Sequence, residues 1–444
     1  MHSRYPTICT LEPVTSDNAN ASTYRRRIID DDLDALLPEL PALSIDGAKG
    51  VGKTATAEQR AAAVFALDDP GTLELVLADR DRLTTAATPT LIDEWQRYPA
   101  AWDLVRRAVD RSPQPGRFLL AGSASPRTPH THSGAARIVS VRMRPLTLPE
   151  RGLETPTVSL RALLTGGRPD IAGSTQIDLP AYVEQIVRGG FPGMRAATPR
   201  AQRALLASYV DRIVDRDFPD ADLGLRNPVL LRRWLAAYGA ATATTATFEA
   251  IRDAATPAQG SKPSRTATVP YRDTLERIWI SDPLPPWAPS RNHLNRLTLS
   301  PKHHLADPAL AVAVAGLTAD DLLEGRAPGE AVPRDGTYLG ALFESLMALS
   351  LRVFAQAAEA TVGHLRTKGG EREVDFIVSG PGRRVVAVEV KLAQTVGDHD
   401  VRHLVWLADR LGPELADTVV ITTGRDAYRR ADGIAVVPAA LLGP

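Results

Sequence analysis

The stretch "GAKGVGKT", residues 47–54, decides the interpretation of this 444-residue chain, because it fits the pattern G-x-x-x-x-G-K-[ST] at every position. It follows the apolar run "ALSID" and opens a helical pattern, which is the strand-to-helix position that the motif requires. Gly47, Gly50 and Gly52 let backbone N–H groups curl around phosphate oxygens. The stretch therefore predicts a phosphate-binding loop, or P-loop. The alternative is a glycine-rich turn that binds nothing.

The last two residues of the motif suit a nucleoside triphosphate. The ammonium of Lys53 would bridge the β- and γ-phosphates, and the hydroxyl of Thr54 would bind Mg²⁺. We therefore expect ATP and Mg²⁺ as cofactors of this part of the chain.

Two acidic residues in "TLIDEW", residues 90–95, point to hydrolysis as well as binding. Asp93 ends an apolar strand, where it can hold Mg²⁺ through water, and Glu94 can polarise the attacking water. A protein that only binds ATP does not need the second carboxylate, so the pair predicts an ATPase. The alternative is an acidic pair in a solvated loop. Ser123 ends the later run "RFLLAGS" and is either a cofactor-binding group beside the γ-phosphate or a turn cap.

Fast ATP turnover also needs an arginine beside the phosphates. Arg137, Arg142 and Arg144 lie in or near the next predicted strand, and Arg216 lies in "VDRDF". The sequence does not choose among them.

Short apolar runs alternate with helical patterns up to about residue 144. The predicted strands are "ALSID", "LELVLA", "TLIDE", "RFLLAG" and "ARIVSVRM", and the predicted helices are "TATAEQRAAAVFAL" and "AAWDLVRRAVDR". Such alternation is typical of βαβ units in a parallel sheet that helices cover on both faces. The region from about 176 to 240 is mostly helical, and a break at "PAQGSKPS" leads to a segment with a weak winged-helix pattern.

The last hundred residues have the order α-β-β-β-α-β. The helix "YLGALFESLMALSLRVF" precedes three strands that end in "VVAVEVKL", where Glu389 and Lys391 point to the same face. Asp375, in the strand before, can approach both across an antiparallel pair, and Glu344 in the helix can add a carboxylate. Such oxygen ligands suit Mg²⁺ or Mn²⁺, and the site could activate water for phosphodiester cleavage with Lys391 as a catalytic group. An exposed Glu–Lys pair is the alternative.

Composition limits the function classes. The 52 basic residues balance the 52 acidic ones, so the chain as a whole shows no nucleic-acid-binding tail. Cys9 is the single cysteine, which excludes an internal disulfide and a cysteine-rich metal site. No apolar run approaches the roughly 20 residues of a membrane span, so we expect a cytoplasmic protein with no membrane partner. We interpret His303 and His304 as surface or turn histidines, because no further ligand lies at metal-binding spacing.

The chain resembles a prokaryotic family of AAA-type ATPases, related to archaeal P-loop ATPases, that is joined to a C-terminal domain of unknown function. The resemblance runs over most of the chain from Tyr24 onward. It rests on "YRRRIID", "GAKGVGKT", "LIDEWQRYP", "RFLLAGSAS", "RPLTLPERG", "RGGFP", "YVDRIVDRD", "SPKHHLADPALA", "GALFE", "HLRTKGGEREVDFIV" and "VAVEVKLA".

The C-terminal pattern is similar to the PD-(D/E)XK nuclease superfamily. This resemblance places Asp375, Glu389 and Lys391 in the core metal site, with Glu344 as the helix carboxylate, and implies a winged-helix-like segment before the domain. DNA or RNA is then a candidate partner, and relatives of this type often oligomerise. Nuclease activity is an open question, and the alternative is an ATP-dependent DNA-binding or protein-docking switch that does not cleave.

We therefore predict an α/β fold in five parts. They are a flexible leader (1–22), a P-loop ATPase domain (23–175), a helical lid (176–235), a winged-helix-like segment (236–330) and a restriction-endonuclease-like domain (331–444).

Overall fold

The computed structural model of the protein describes residues 24–123, 134–218, 228–256, 265–288, 299–324, 336–367 and 369–444. The predicted leader, which contains Cys9, and residues 257–264 of the predicted break lie outside these ranges.

A five-stranded sheet forms the first part of the fold. Its strands are β1 (Ala42–Asp46), β2 (Ala63–Ala66), β3 (Thr90–Asp93), β4 (Phe118–Gly122) and β5 (Val139–Arg142). All pair in parallel, in the order β2-β3-β4-β1-β5. The helices of this part are α1 (Ile29–Leu36), α2 (Lys53–Glu58), α3 (Pro70–Ala78), α4 (Arg82–Thr85) and α5 (Ala100–Arg111).

The central strands of this sheet are buried on both faces, because their successive residues point into different cores. In β4, Leu119 belongs to the large core that runs through much of the molecule, whereas Phe118 and Leu120 belong to a smaller core with Trp102 of α5. Fully apolar strands are therefore required. The predicted α/β class with a parallel sheet is confirmed for this part.

One predicted strand is wrong. The run "LELVLA", residues 73–78, lies in helix α3, and the second strand is instead β2, inside the predicted helix "TATAEQRAAAVFAL", so that α2 ends at Glu58. The reason is the start of α3, where the Asp69 carboxylate accepts a hydrogen bond from the Thr72 N–H and Pro70 takes the first helical turn. These start signals outweigh the apolar content of the run.

The middle of the chain is helical, as predicted. Its helices are α6 (Leu148–Arg151), α7 (Leu160–Leu164), α8 (Leu179–Arg188), α9 (Pro192–Arg195), α10 (Pro199–Arg212), α11 (Pro228–Ala240), α12 (Phe248–Ala254), α13 (Arg265–Arg277), α14 (Pro308–Ala315) and α15 (Ala319–Glu324). Two short strands, β6 (Val158–Ser159) and β7 (Gly173–Ser174), flank α7.

Two isolated antiparallel bridges, Ser281–Leu305 and Leu284–Lys302, follow α13. Helices followed by paired extended segments agree with a winged-helix layout, which stays a prediction. We call residues 280–288 and 299–306 the bridge segments.

The C-terminal part contains a long helix, a sheet and a second helix. The elements are α16 (Gly336–Ala357), β8 (Thr361–Arg366), β9 (Glu373–Ser379), β10 (Val385–Lys391), α17 (Asp398–Leu411), β11 (Leu415–Thr422), β12 (Asp426–Arg429), β13 (Ala435–Pro438) and β14 (Leu442–Gly443). They begin with the predicted order α-β-β-β-α-β. The sheet order is β7-β12-β13-β11-β10-β9-β8, with parallel pairing between β10 and β11 and between β11 and β13.

Residues 158–174 join the C-terminal part, although the predicted boundary at 175 assigns them to the ATPase domain. Strand β7 pairs with β12, and β6 pairs with β14. Residues 158–174 therefore connect the first part of the chain to its C-terminal part.

Helix α16 is the central helix of the C-terminal core. Residues Tyr338–Ala357 are long and apolar enough to cross a membrane by length and composition, so the expectation that no apolar run approaches that length is wrong. However, 72% of the apolar window in this helix is buried inside the fold. Leu342, Phe343 and Leu346 are fully buried. The apolar surface of α16 is therefore buried in the protein core.

Candidate functional site

The backbone of the predicted phosphate-binding loop needs its glycines. Gly50 and Gly52 have φ angles of 77° and 103°, in the left-handed region that favours glycine. At Gly47 a Cβ atom would lie 2.3 Å from the backbone oxygen of Met143, which follows β5. The loop between β1 and α2 is therefore packed directly against the residue that follows β5.

Lys53 lies at the start of α2 and is 6% exposed. Its ammonium donates to the backbone oxygens of Gly47 and Ala48, both at 2.9 Å. Burial lowers the pKa of Lys53 to about 8, against the opposing effect of nearby carboxylates. The side chain is thus a desolvated cation aimed at the loop, where a phosphate would stabilise its charge.

Thr54 and Asp93 meet, although 39 residues separate them in the chain. The Thr54 hydroxyl donates to Asp93 Oδ2 at 2.8 Å. Asp93 ends β3, is 6% exposed, and its Oδ1 has no hydrogen-bond partner among the described residues. Burial raises the pKa of Asp93. A hydroxyl beside a buried carboxylate with a free oxygen fits Mg²⁺, which prefers hard oxygen ligands.

Glu94 follows Asp93 in a left-handed conformation, with φ of 49°. Its carboxylate accepts a hydrogen bond from the Gln96 side chain, and the Ser123 hydroxyl at the end of β4 lies 3.4 Å from the same oxygen. Gln96 also donates to Ser123 at 3.3 Å. The three side chains form one polar group beside the loop. Gln96 was missed from the sequence, because nothing in its spacing distinguishes it from a surface residue.

The four candidate arginines lie in different surroundings. Arg137 forms a surface ion pair and Arg216 is exposed. Arg144 forms an ion pair with Asp282 at 2.8 Å. Arg142 ends β5 beside the loop strand β1, and its guanidinium stacks on Trp279 at 3.8 Å. Its Nε and Nη1 are buried without a hydrogen-bond partner in the described ranges, which makes it the strongest candidate of the four.

Asp282 connects the strand beside the loop to the C-terminal core. It follows α13 and accepts from Arg144 at 2.8 Å, and it pairs with Arg352 of α16 at 2.6 Å. Arg352 is 8% exposed and also donates to the backbone oxygens of Asp282 and Pro283. The region after β5, the bridge segments and α16 therefore share one nearly buried ion-pair network.

The C-terminal candidates come together as well. Strands β9 and β10 pair antiparallel, and Asp375 Oδ2 accepts a hydrogen bond from the Val390 N–H at 3.0 Å. Lys391 pairs with Glu389 at 3.1 Å, and the Glu389 side chain is 5% exposed. Glu344 approaches from α16. The structure thus gathers Glu344, Asp375, Glu389 and Lys391, as the sequence predicts.

The centre of this group contains a residue that the sequence analysis missed. Lys302 comes from the bridge segments and is 1% exposed. Its ammonium lies 2.9 Å from Glu344, 3.0 Å from Glu373 and 3.1 Å from Asp375. No sequence signal could have found it, because Lys302 lies 73 residues before Asp375 in a segment that shows no charge pattern. We call Lys302, Glu344, Glu373, Asp375 and Glu389 the carboxylate cluster.

Charge and burial set the pKa values in the carboxylate cluster. Burial, together with the Asp375 charge, raises the pKa of Glu344 to about 8 and that of Glu389 well above its usual value. Burial would also raise the pKa of Asp375, but Lys302 and Lys391 outweigh it and lower the value. The two ammonium groups therefore favour the charged form of Asp375.

The predicted divalent metal does not fit the carboxylate cluster in this structure. The Lys302 ammonium already contacts Glu344 and Asp375, two of the three predicted ligands, and Asp375 Oδ2 accepts a hydrogen bond from a backbone N–H. The described residues contain no group of three or more His, Cys, Asp or Glu side chains with metal-binding geometry. Metal binding by Glu344, Asp375 and Glu389 therefore stays a prediction that this arrangement does not support.

The interpretation of His303 and His304 as surface or turn histidines is wrong, because both are buried in the bridge segments. They are 1% and 2% exposed. His303 hydrogen-bonds the Ala246 backbone oxygen at 2.7 Å, and His304 lies 3.2 Å from the Ser345 hydroxyl. Burial lowers the pKa of both. They fix the bridge segments against the helical middle and α16.

The parallel sheet, the loop at residues 47–54 and the Thr54–Asp93 contact define a P-loop nucleotide-binding fold. Residues 39–151 match the family described as an AAA domain. Residues 179–321 match the domain of unknown function DUF8612, and residues 339–442 match the domain of unknown function DUF4143. The AAA-domain match and the geometry of the loop together support an AAA-type P-loop ATPase domain in the first part. The other two matches indicate no activity.

Relatives that match most of the chain add no function. Uncharacterized proteins of Mycobacterium tuberculosis and Mycobacterium bovis are each 27% identical over 356 residues, which cover 78% of this chain and 68% of each relative. Among solved structures, the Walker-type ATPase of Pyrococcus abyssi has a TM-score of 0.37 and 14% sequence identity, over 65% of this chain and 95% of that one. That TM-score is too low to carry an argument.

Proposed function

We propose that the protein binds ATP with Mg²⁺ and hydrolyses it at the loop of residues 47–54. The observation that carries the proposal is the contact of Thr54 with Asp93 at 2.8 Å, beside a buried and unpartnered Asp93 oxygen. A P-loop hydroxyl and a strand-ending aspartate are the groups that hold Mg²⁺ in P-loop proteins. Bound Mg²⁺ would neutralise charge that develops on the phosphates.

The other side chains have separate roles in this proposal. Lys53 supplies positive charge to the phosphates, and burial makes that charge effective because little water screens it. Glu94 orients the attacking water and accepts its proton. Gln96 and Ser123 both contact Glu94 and hold its carboxylate in place.

Glu94→Gln tests the assignment of the base. The amide keeps the size of the side chain but cannot accept the proton, so we expect ATP turnover to fall about 10²- to 10⁴-fold, with the dissociation constant of ATP unchanged. Glu74→Gln, on the exposed surface of α3, is the matched control. Turnover equal to wild type in Glu94→Gln would refute the role of Glu94.

We also infer that the nucleotide state acts on the C-terminal part. The support is the ion-pair network of Asp282, which joins Arg144 after β5 to Arg352 in α16. Gly47 of the loop packs against Met143, the neighbour of Arg144, so a change at the loop can reach α16 through these groups.

For the C-terminal part we propose a nuclease-like domain that is directed to nucleic acid. The support is its α-β-β-β-α-β order and the placement of Asp375, Glu389 and Lys391 on adjacent strands. The proposal includes binding and not cleavage, because Lys302 lies among the carboxylates. A docking switch for a protein partner is the alternative.

Salt dependence separates these two functions. If DNA or RNA binds through its phosphates, the logarithm of the association constant should fall linearly with the logarithm of the salt concentration. We expect such a slope with one or both nucleic acids. Absence of binding at low salt would refute the nucleic-acid proposal and favour the protein partner.

A further inference from the structure

The ammonium of Lys302 is surrounded by three acidic side chains. It donates hydrogen bonds to Glu344 at 2.9 Å and to Asp375 at 3.1 Å, and it forms an ion pair with Glu373 at 3.0 Å. The side chain is 1% exposed. A buried ammonium is costly unless it is paired in this way, so the three carboxylates and Lys302 require one another.

This arrangement excludes a second cation from the same oxygens. Mg²⁺ needs oxygen ligands at about 2.0–2.1 Å and Ca²⁺ at about 2.3–2.6 Å. A metal ion bound to Asp375 and Glu344 would have to lie within a few ångströms of the ammonium, where like charges repel strongly in a low-dielectric interior. The Glu389 Oε1 atom remains buried without a hydrogen-bond partner in the described part of the chain.

The segment that carries Lys302 is held on both sides. Leu284 and Lys302 exchange backbone hydrogen bonds of 2.9 and 3.0 Å. The backbone N–H of His303 donates to the backbone oxygen of Thr244 at 2.9 Å, and the His304 ring contacts Ser345 of α16. The position of Lys302 is therefore fixed by the backbone and by its neighbours, and not by its own ion pairs alone.

We propose that Lys302 is the resident cation of the carboxylate cluster and takes the place of a divalent metal there. The wild-type chain consequently binds no Mg²⁺ or Mn²⁺ at Asp375, and the C-terminal part works without metal chemistry at this cluster. Loss of the ammonium converts the cluster into a divalent-cation site. The inference is independent of ATP hydrolysis, because none of its residues belongs to the phosphate-binding loop.

Mn²⁺ binding to the full chain tests this directly. The electron paramagnetic resonance signal of free Mn²⁺ gives the number of ions bound per chain, without nucleotide, in wild type, Lys302→Met, and Lys302→Met with Asp375→Asn. We expect Lys302→Met to bind one Mn²⁺ more than wild type, and the added Asp375→Asn change to remove it. Lys302→Arg, which keeps the charge, is the control and should bind as wild type does.

Two results would overturn the proposal. In the first, the single variant Asp375→Asn binds one Mn²⁺ per chain fewer than the wild type. The wild-type cluster would then hold a metal beside Lys302. The other is a folded Lys302→Met that gains no ion. If Lys302→Met does not fold, Lys302→Met with Glu344→Gln keeps the formal net charge of the chain and retains Glu373 and Asp375. That double variant is then held to the same expectation of one added ion.

Discussion

Asp282→Asn should destabilise the protein strongly, because Asp282 joins two nearly buried arginines in one ion-pair network. The carboxylate side chain is 19% exposed and pairs with Arg144 at 2.8 Å and Arg352 at 2.6 Å. The amide removes the negative charge and leaves two nearly buried guanidiniums without a counter-ion. Removing one partner of a buried pair costs about 3–5 kcal/mol. Because Arg352 keeps its bonds to two backbone oxygens, we expect the lower end, about 3 kcal/mol.

The assay is urea-induced unfolding followed by far-UV circular dichroism at pH 7. Asp273→Asn is the matched control, because Asp273 is 43% exposed and pairs with Arg272 on the surface of α13. Such a change should stay within about 0.5 kcal/mol. An Asp282→Asn protein as stable as Asp273→Asn would refute the reasoning that the network is energetically important.

The same variant has a pH signature. Burial alone would raise the pKa of Asp282, but the Arg144 and Arg352 guanidiniums outweigh it and hold the value well below the usual range. A carboxyl with a depressed pKa stabilises the fold above its unfolded pKa of about 3.9, and that stabilisation is lost as the pH falls through the folded value. The difference between wild type and Asp282→Asn should therefore shrink below about pH 4. A difference that stays constant from pH 7 to pH 3 would contradict the assignment.

Two further predictions concern the phosphate-binding loop. Since burial lowers the pKa of Lys53 to about 8 and phosphate favours the charged form, ATP binding should take up a proton above that pH, and affinity should fall by up to about tenfold per pH unit. Titration calorimetry from pH 7 to 9.5 measures this, and a flat profile would contradict it. Gly47→Ala should lower ATP affinity more than tenfold, because the new Cβ would lie 2.3 Å from a backbone oxygen. Gly193→Ala, where a Cβ meets nothing within 4 Å, should bind ATP as wild type does, and equal affinities in both variants would refute the steric argument.

The phosphate-binding part of the fold could be predicted because its signals are local. The spacing from Gly47 to Thr54 specifies the turn, and apolar strands that end in Asp93 and Ser123 place those side chains at one edge of a parallel sheet. The misplaced strand shows the limit of this approach. Residues 73–78 are apolar enough for a buried strand, but the cap at Asp69 makes them helical.

The centre of the carboxylate cluster could not be predicted, because it depends on contacts between distant segments. Glu389 and Lys391 share a face by strand periodicity, and an antiparallel pair brings Asp375 close. Lys302 enters from a segment whose position is set by packing against α16 and the helical middle, which leaves no periodic signal. The burial of the neighbouring His303 could not be predicted for the same reason. Cytoplasmic location and oligomerisation stay predictions.

Release of inorganic phosphate from ATP tests the central claim most directly. The purified full chain would be compared with Lys53→Ala, each with Mg²⁺ and with excess chelator. The account predicts steady phosphate release by the wild type only with Mg²⁺, and loss of that release in Lys53→Ala. No release by the wild type, or release that is equal in Lys53→Ala, would contradict it.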